Sequence, residues 1–212
     1  MDQFITKRNE LLANKVIKGL NSRNMEGHYA KDKKEALDIA LSIIEKGSSI
    51  SWGGTMSAAE IGLTKAVIDG DYTVYNRDKA STPEEKKQAE INASTCDYFL
   101  ASSNAITEDG VLINIDGFAN RVAAIACGPK NVVMIIGMNK ICKDVDAAMS
   151  RARNVAAPIN AGRFGLETPC SKTGACEDCK SPDTVCCQIL ITRFSRIKDR
   201  IKVILVNDSL GF

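Results

Sequence analysis

Apolar positions near the start of the chain fall at helical spacing. Phe4, Leu11, Leu12, Val16, Ile17 and Leu20 lie at helical spacings, so the pattern predicts a first helix. A second helix is predicted over "ALDIALSIIEKG", with Asp32 and Glu35 as a capping box and Gly47 placed to end it. The period then changes. "SSISW", "DYTVY", "DYFLAS", "VLINI", "QILITRF" and "IKVILV" read as strands. "NVVMIIG" is apolar throughout, as a strand covered on both faces requires. Between these runs lie helix signals: Thr82 ahead of Pro83, Glu84 and Glu85; "FANRVAAIACG"; and "DVDAAMSRARNVAA", which Pro158 is expected to end. This alternation predicts an α/β fold, a Rossmann-like open sheet with helices on both faces. The stretch 160–195 carries less helix signal and reads as a small cysteine-rich lobe within one domain spanning 1–212.

The 212 residues suffice for one substantial core. A net charge of +2 gives no reason to expect nucleic acid as a partner. No apolar run reaches the roughly 18 residues of a membrane span. The charged stretch "MDQFITKRNELLANKVIKG" lacks a secretory apolar core, so a cytoplasmic location is expected. Eight cysteines are many for that compartment. Cys96, Cys127 and Cys142 lie in apolar surroundings and read as small core residues, whereas the other five crowd between Cys170 and Cys187.

Three stretches carry candidate chemistry. In "SISWGGTMSAAEIG", Gly53, Gly54 and Thr55 follow a predicted buried strand, and Ser57 with Glu60 forms a capping-box pattern. Such a loop either holds an anion at the carboxyl end of a strand or is only a tight strand-to-helix turn. It is neither a Walker loop nor G-x-G-x-x-G. Trp52 is expected to pack beneath it. In "TEDGVLINIDGFANR", Glu108, Asp109, Asn114, Asp116, Gly117, Asn120 and Arg121 collect on turns between apolar strands. Glu108 or Asp116 suits a general base or nucleophile, and Arg121 a two-pronged clamp on carboxylate or phosphate. The same residues also suit ordinary turn chemistry. His28, the only histidine, is expected to be structural or on the surface.

The third stretch is "TPCSKTGACEDCKSPDTVCC". Cys170, Cys176 and Cys179 have the spacing C-x5-C-x2-C, and Cys186 and Cys187 follow. A C-x2-C pair on a turn places two thiolates on one metal. Gly174 permits the turn, and Lys172 and Lys180 offset thiolate charge. Four such ligands suit zinc or an iron–sulfur cluster, the alternative being free thiols or disulfides formed in air. Cys186 and Cys187 point to opposite faces of a strand start, so only one is expected to be a ligand.

The glycine loop, "NAITEDGVLINIDGFANRVAAIACGPKNVVMIIGMNKI", "NAGR" and "TPCSKTGACEDC" together resemble a lactate-utilisation (LUD) domain protein. The resemblance implies the fold of the ribose-phosphate isomerase, glucosamine-phosphate deaminase and CoA-transferase superfamily. It implies a small anionic ligand at Gly53, Gly54 and Thr55, with Glu108 and Asp109 on a second loop and Asn114, Asp116, Gly117, Asn120 and Arg121 on a third. Glu108 then stands near the position of the CoA-transferase glutamate nucleophile. Phe118 and Ala119 depart from that pattern, and their bulk is expected to narrow the pocket. The resemblance further implies Cys186 as the fourth metal ligand beside Cys170, Cys176 and Cys179. It implies a role in lactate or organic-acid utilisation beside iron–sulfur oxidoreductase subunits. A second copy of the chain is also among the expected partners, whereas nucleic acid and membrane are not.

Overall fold

The computed structural model describes residues 3–212, the side chain of Asp78 apart. Its first half runs α1 (Gln3–Ser22), β1 (Glu26–Ala30), α2 (Lys33–Ile43), β2 (Ser49–Trp52), α3 (Met56–Glu60), α4 (Leu63–Asp69), β3 (Thr73–Tyr75), α5 (Pro83–Thr95) and β4 (Tyr98–Ala101). There follow β5 (Ala105–Thr107), β6 (Leu112–Asp116), α6 (Asn120–Ala126), β7 (Asn131–Gly137), β8 (Ile141–Cys142), α7 (Val145–Arg151), α8 (Ala157–Arg163), α9 (Pro169–Thr173), β9 (Gln188–Thr192) and β10 (Ile201–Val206).

Six strands form a parallel sheet in the order β1-β10-β7-β4-β2-β3. Alternation along the strands gives it two cores. Val132, Met134 and Ile136 face Ala13, Val16 and Leu20 of α1 and Ile125 of α6. Val133 and Ile135 face Ala36 and Ala40 of α2 and Leu63 and Val67 of α4 on the opposite side. The expected α/β sheet with helices on both faces is therefore present, and β7 is its doubly covered centre. From β2 the chain goes outward to β3, then returns to place β4 on the other side of β2. This reversal makes a switch point, and open α/β sheets bind ligands outside the carboxyl ends of the strands there.

A second, smaller sheet has the order β8-β5-β6-β9 and packs Ile113 and Ile115 against Ala148 and Ala152 of the helical layer. Its β5–β6 turn docks on α1. A Cβ on Gly19 would lie 2.3 Å from the Asp109 carbonyl carbon, and one on Gly110 2.6 Å from the Leu20 nitrogen.

Two boundaries differ from the sequence expectations. α2 ends at Ile43, and Gly47 lies beyond it in a turn at φ +77°. Nor does Pro158 end its helix. A π turn over Ala152–Ala156 joins α7 to α8, and the Ala157 N–H donates to the Ala152 carbonyl five residues back. Proline is barred from a helix interior by its missing N–H and its clash with the carbonyl four residues earlier. The widened turn shifts that carbonyl register and lets the helix continue.

Candidate functional site

The glycine loop leaves the carboxyl end of β2 at the switch point. Gly53 permits close approach: a Cβ there would lie 2.9 Å from Arg121 Cβ and 3.2 Å from the Phe99 ring. Thr55, not Ser57, caps α3, its Oγ1 accepting the Ala58 N–H at 3.4 Å. Ser57 instead turns inward and is buried. Trp52 is buried beside the loop, as expected.

Ser57 joins two residues that no motif along the chain singles out. Lys140 Nζ donates to Ser57 Oγ at 3.1 Å and to Ser102 Oγ at 3.0 Å. The Ser102 hydroxyl donates to Ser57 Oγ at 3.3 Å. Ser102 follows β4 directly, and Lys140 closes the turn after β7, so the trio gathers at the carboxyl ends of the central strands. Lys140 is only 3% exposed. Burial pushes its amine down to about 7, with help from the Arg151 and Arg121 guanidiniums and partial opposition from Glu60. A strap from the end of β10 covers the trio. Leu210 is buried, and the Gly211 N–H donates to the Glu60 carboxylate at 3.1 Å. Gly211 sits so close that a Cβ would lie 2.9 Å from Ser57 Oγ and 3.2 Å from Lys140 Nζ.

Arg121 stands beside the trio but faces inward. Its Nε donates to Asp116 Oδ1 at 2.9 Å, and one terminal nitrogen donates to Asn104 Oδ1 and the Ile115 carbonyl, each at 2.8 Å. The other terminal nitrogen reaches the Ser102 carbonyl at 3.5 Å. Asp116 also accepts the Val122 N–H at 2.8 Å. Across Arg121 lies a pocket of about 270 Å³, with Gly53, Phe99, Phe118, Asn120 and Cys127 among its walls. Phe118 is 93% exposed at its rim. Cys127, expected in the core, is exposed because it follows α6 on the pocket side. Cys142 is half-buried and Cys96 fully buried, its thiol pushed up to about 11 by burial.

The polar run from Thr107 to Arg121 does not form one site. Asp116 and the Glu108–Asp109 turn lie at opposite ends of β6, whose rise of about 3.4 Å per residue separates them by more than 10 Å. Glu108 lies between Lys15 and Lys143, which hold its carboxyl below the usual range. Asp109 pairs with Arg23 and accepts from Thr107. Asn114 is fully buried on β6, with neither amide atom hydrogen-bonded. The Asn120 side chain accepts the Arg121 N–H at 3.0 Å. Gly117 abuts the cysteine loop, where a Cβ would meet the Thr184 carbonyl oxygen at 3.3 Å and Val185 Cα at 3.4 Å.

From Gly174 to Cys187 that loop has no helix or strand. Cys170, Cys176, Cys179 and Cys186 are half-buried, and Cys187 is exposed. Burial raises the Cys186 thiol, a bond with Thr184 opposes this, and the thiols of Cys176, Cys170 and Cys179 raise it further. Those four thiols therefore share one neighbourhood. Arg153 donates to Cys176 Sγ at 3.4 Å and pairs with Asp178. The four-thiol donor set suits zinc or an iron–sulfur cluster. Among the described residues, no three His, Cys, Asp or Glu side chains surround a common point at ligand distance. The donor chemistry fits a metal, whereas the sulfurs would have to draw inward to hold one.

Sheet order and switch point define a Rossmann-like α/β protein whose switch-point crevice lies between β2 and β4. The LUD domain family model matches residues 13–206, and the chain belongs to that family. Among solved structures it is similar to a DUF162 family protein from Deinococcus radiodurans. The TM-score is 0.56 at 11% identity, covering 93% of this chain and 98% of that one, a likeness of fold alone. A weaker likeness, TM-score 0.33 at 16% identity over 68% of this chain and 57% of the other, is to eIF2B delta from Chaetomium thermophilum. No curated protein matched in sequence. Among the described residues, no helix is long and apolar enough to cross a membrane.

Proposed function

We propose that this LUD-family protein binds a small anionic organic acid at the switch-point crevice, in lactate or related organic-acid utilisation. One observation carries the reading: Lys140 is buried at the carboxyl ends of the central strands, bonded to two hydroxyls, with Arg121 and Arg151 adding positive field. A buried amine without a close carboxylate is costly, and an anion beside it offsets that cost. The protonated amine is the binding form, so anion affinity should fall as pH rises through about 7. Thermal shifts against lactate, pyruvate, CoA and sugar phosphates measure this. A pH-dependent shift that Lys140→Met abolishes supports the reading; no stabilisation by any of them sinks it.

A second reading concerns the cysteine loop. The nearness of Cys170, Cys176 and Cys179 to Cys186 favours a metal-stapled lobe that docks on iron–sulfur oxidoreductase subunits. Cys170, Cys176, Cys179 and Cys186 would be the ligands. A cluster would supply one-electron transfer, and zinc only a staple. Anaerobically purified protein should contain metal and lose it, with a lower Tm, in Cys176→Ser/Cys179→Ser. Brown colour with visible absorption identifies a cluster, and one zinc in colourless protein identifies a staple. Metal-free protein from both anaerobic and aerobic preparations would end the idea. Superfamily transferase chemistry through Glu108 gains no support from the geometry, since Glu108 faces Lys15 and Lys143.

A further inference from the structure

We infer that Ser57 and Lys140 form a nucleophile–base pair for acyl transfer, taking a small neutral ester or amide of the class of organic acid that the crevice binds. This rests on the switch-point crevice being the ligand site. A serine nucleophile needs a base within about 2.6–3.2 Å and a third group that orients the base. Lys140 Nζ lies 3.1 Å from Ser57 Oγ, and Ser102 Oγ lies 3.0 Å from the same nitrogen. Both hydroxyls and the amine are more than nine-tenths buried, so bulk water does not compete for their protons. Lysine serves as such a base only when neutral. Its burial, with the Arg151 and Arg121 guanidiniums nearby, makes the neutral amine accessible near pH 7.

The chemistry balances with water as the only co-reactant. Ser57 Oγ bonds to the acyl carbon while its proton passes to Lys140 Nζ, and the carbonyl electron pair moves onto oxygen. Collapse breaks the carbon–oxygen or carbon–nitrogen bond, and the leaving alcohol or amine takes the proton from Lys140. Water then attacks the acyl-serine, Lys140 again takes and returns the proton, and the acid leaves with Ser57 restored. Ser102 is a positioning residue that orients Lys140. The Gly211 strap lies over Ser57 and must lift to admit the acyl group. Protonated, Lys140 holds an anion; neutral, it takes the Ser57 proton. An anion in the crevice therefore slows acylation.

The probe is a fluorophosphonate, which bonds to an activated serine with loss of fluoride, and the labelled peptide is identified by mass spectrometry. The expected result is a single label on Ser57, forming faster as pH rises through about 7 and slowed by inorganic phosphate or pyruvate. Lys140→Arg, which keeps the charge but cannot act as base, should slow labelling by about a hundredfold or more. Ser102→Ala should slow it less and shift the pH profile. Gly211→Ala should speed it, because the added Cβ would displace the strap. Label on another residue, none on Ser57, or a rate flat across pH overturns the inference, and mapping on the unmutated protein decides this even if variants misfold. Absence of Ser57 label while anions still shift the Tm removes the nucleophile and leaves the anion site. Loss of both removes both.

Discussion

Arg121 is 9% exposed, and its guanidinium is engaged by Asp116, Asn104 and backbone carbonyls. Removing one partner of a buried pair leaves an uncompensated charge. Arg121→Ala should therefore lower unfolding free energy by about 3 kcal/mol in chemical denaturation. Any ligand effect of that variant would be secondary to lost stability. Glu108→Gln is the contrasting case. It sits between two lysines at the far end of β6, so anion-dependent thermal shifts should match those of the parent protein. The sequence exposed both residues as polar candidates but hid their separation, which depends on where β6 begins and ends. It hid the trio more deeply. Lys140 lies 83 positions from Ser57 and 38 from Ser102, and only the strand order brings them together.

Among the elements, those with a strong local signal were legible. Thr82 and Glu85 form the capping box of α5, and "NVVMIIG" is the central strand. Elements without such a signal were not. β1, "EGHYA", is half-buried and mostly polar, and only pairing with β10 makes it a strand. The small sheet relies on β5 and β8, of three and two residues, too short to show a period. The contact of the β5–β6 turn with α1 is also tertiary. In a helix interior, alanine normally stabilises relative to glycine by about 1 kcal/mol. At Gly19 the sign should reverse, because the new Cβ would strike the Asp109 backbone. Gly19→Ala should cost about 1–3 kcal/mol in urea denaturation.

At the scale of the whole molecule, α/β class and layer arrangement followed from alternation, whereas the switch point needed the sheet order. The buried amine at that point ties global stability to pH. Folding lowers the Lys140 pKa to about 7, so between there and its ordinary value the unfolded chain binds more protons. This contribution rises with pH across that window. Relative to Lys140→Met, the parent protein should gain on the order of 4 kcal/mol between about pH 6 and about pH 10. Parallel stability curves would show that the amine titrates normally.

The continuous helix from α7 through the π turn to α8 carries two arginines with different destinations. Arg151 reaches the carbonyls of Asn139 and Asn104 beside the crevice, and Arg153 reaches Cys176 and Asp178 in the cysteine loop. From the other side, Gly117 bears on that loop while Asp116, one residue before it, grips Arg121. The crevice and the loop thus share two supports, a single helix along one side and a pair of adjacent residues along the other.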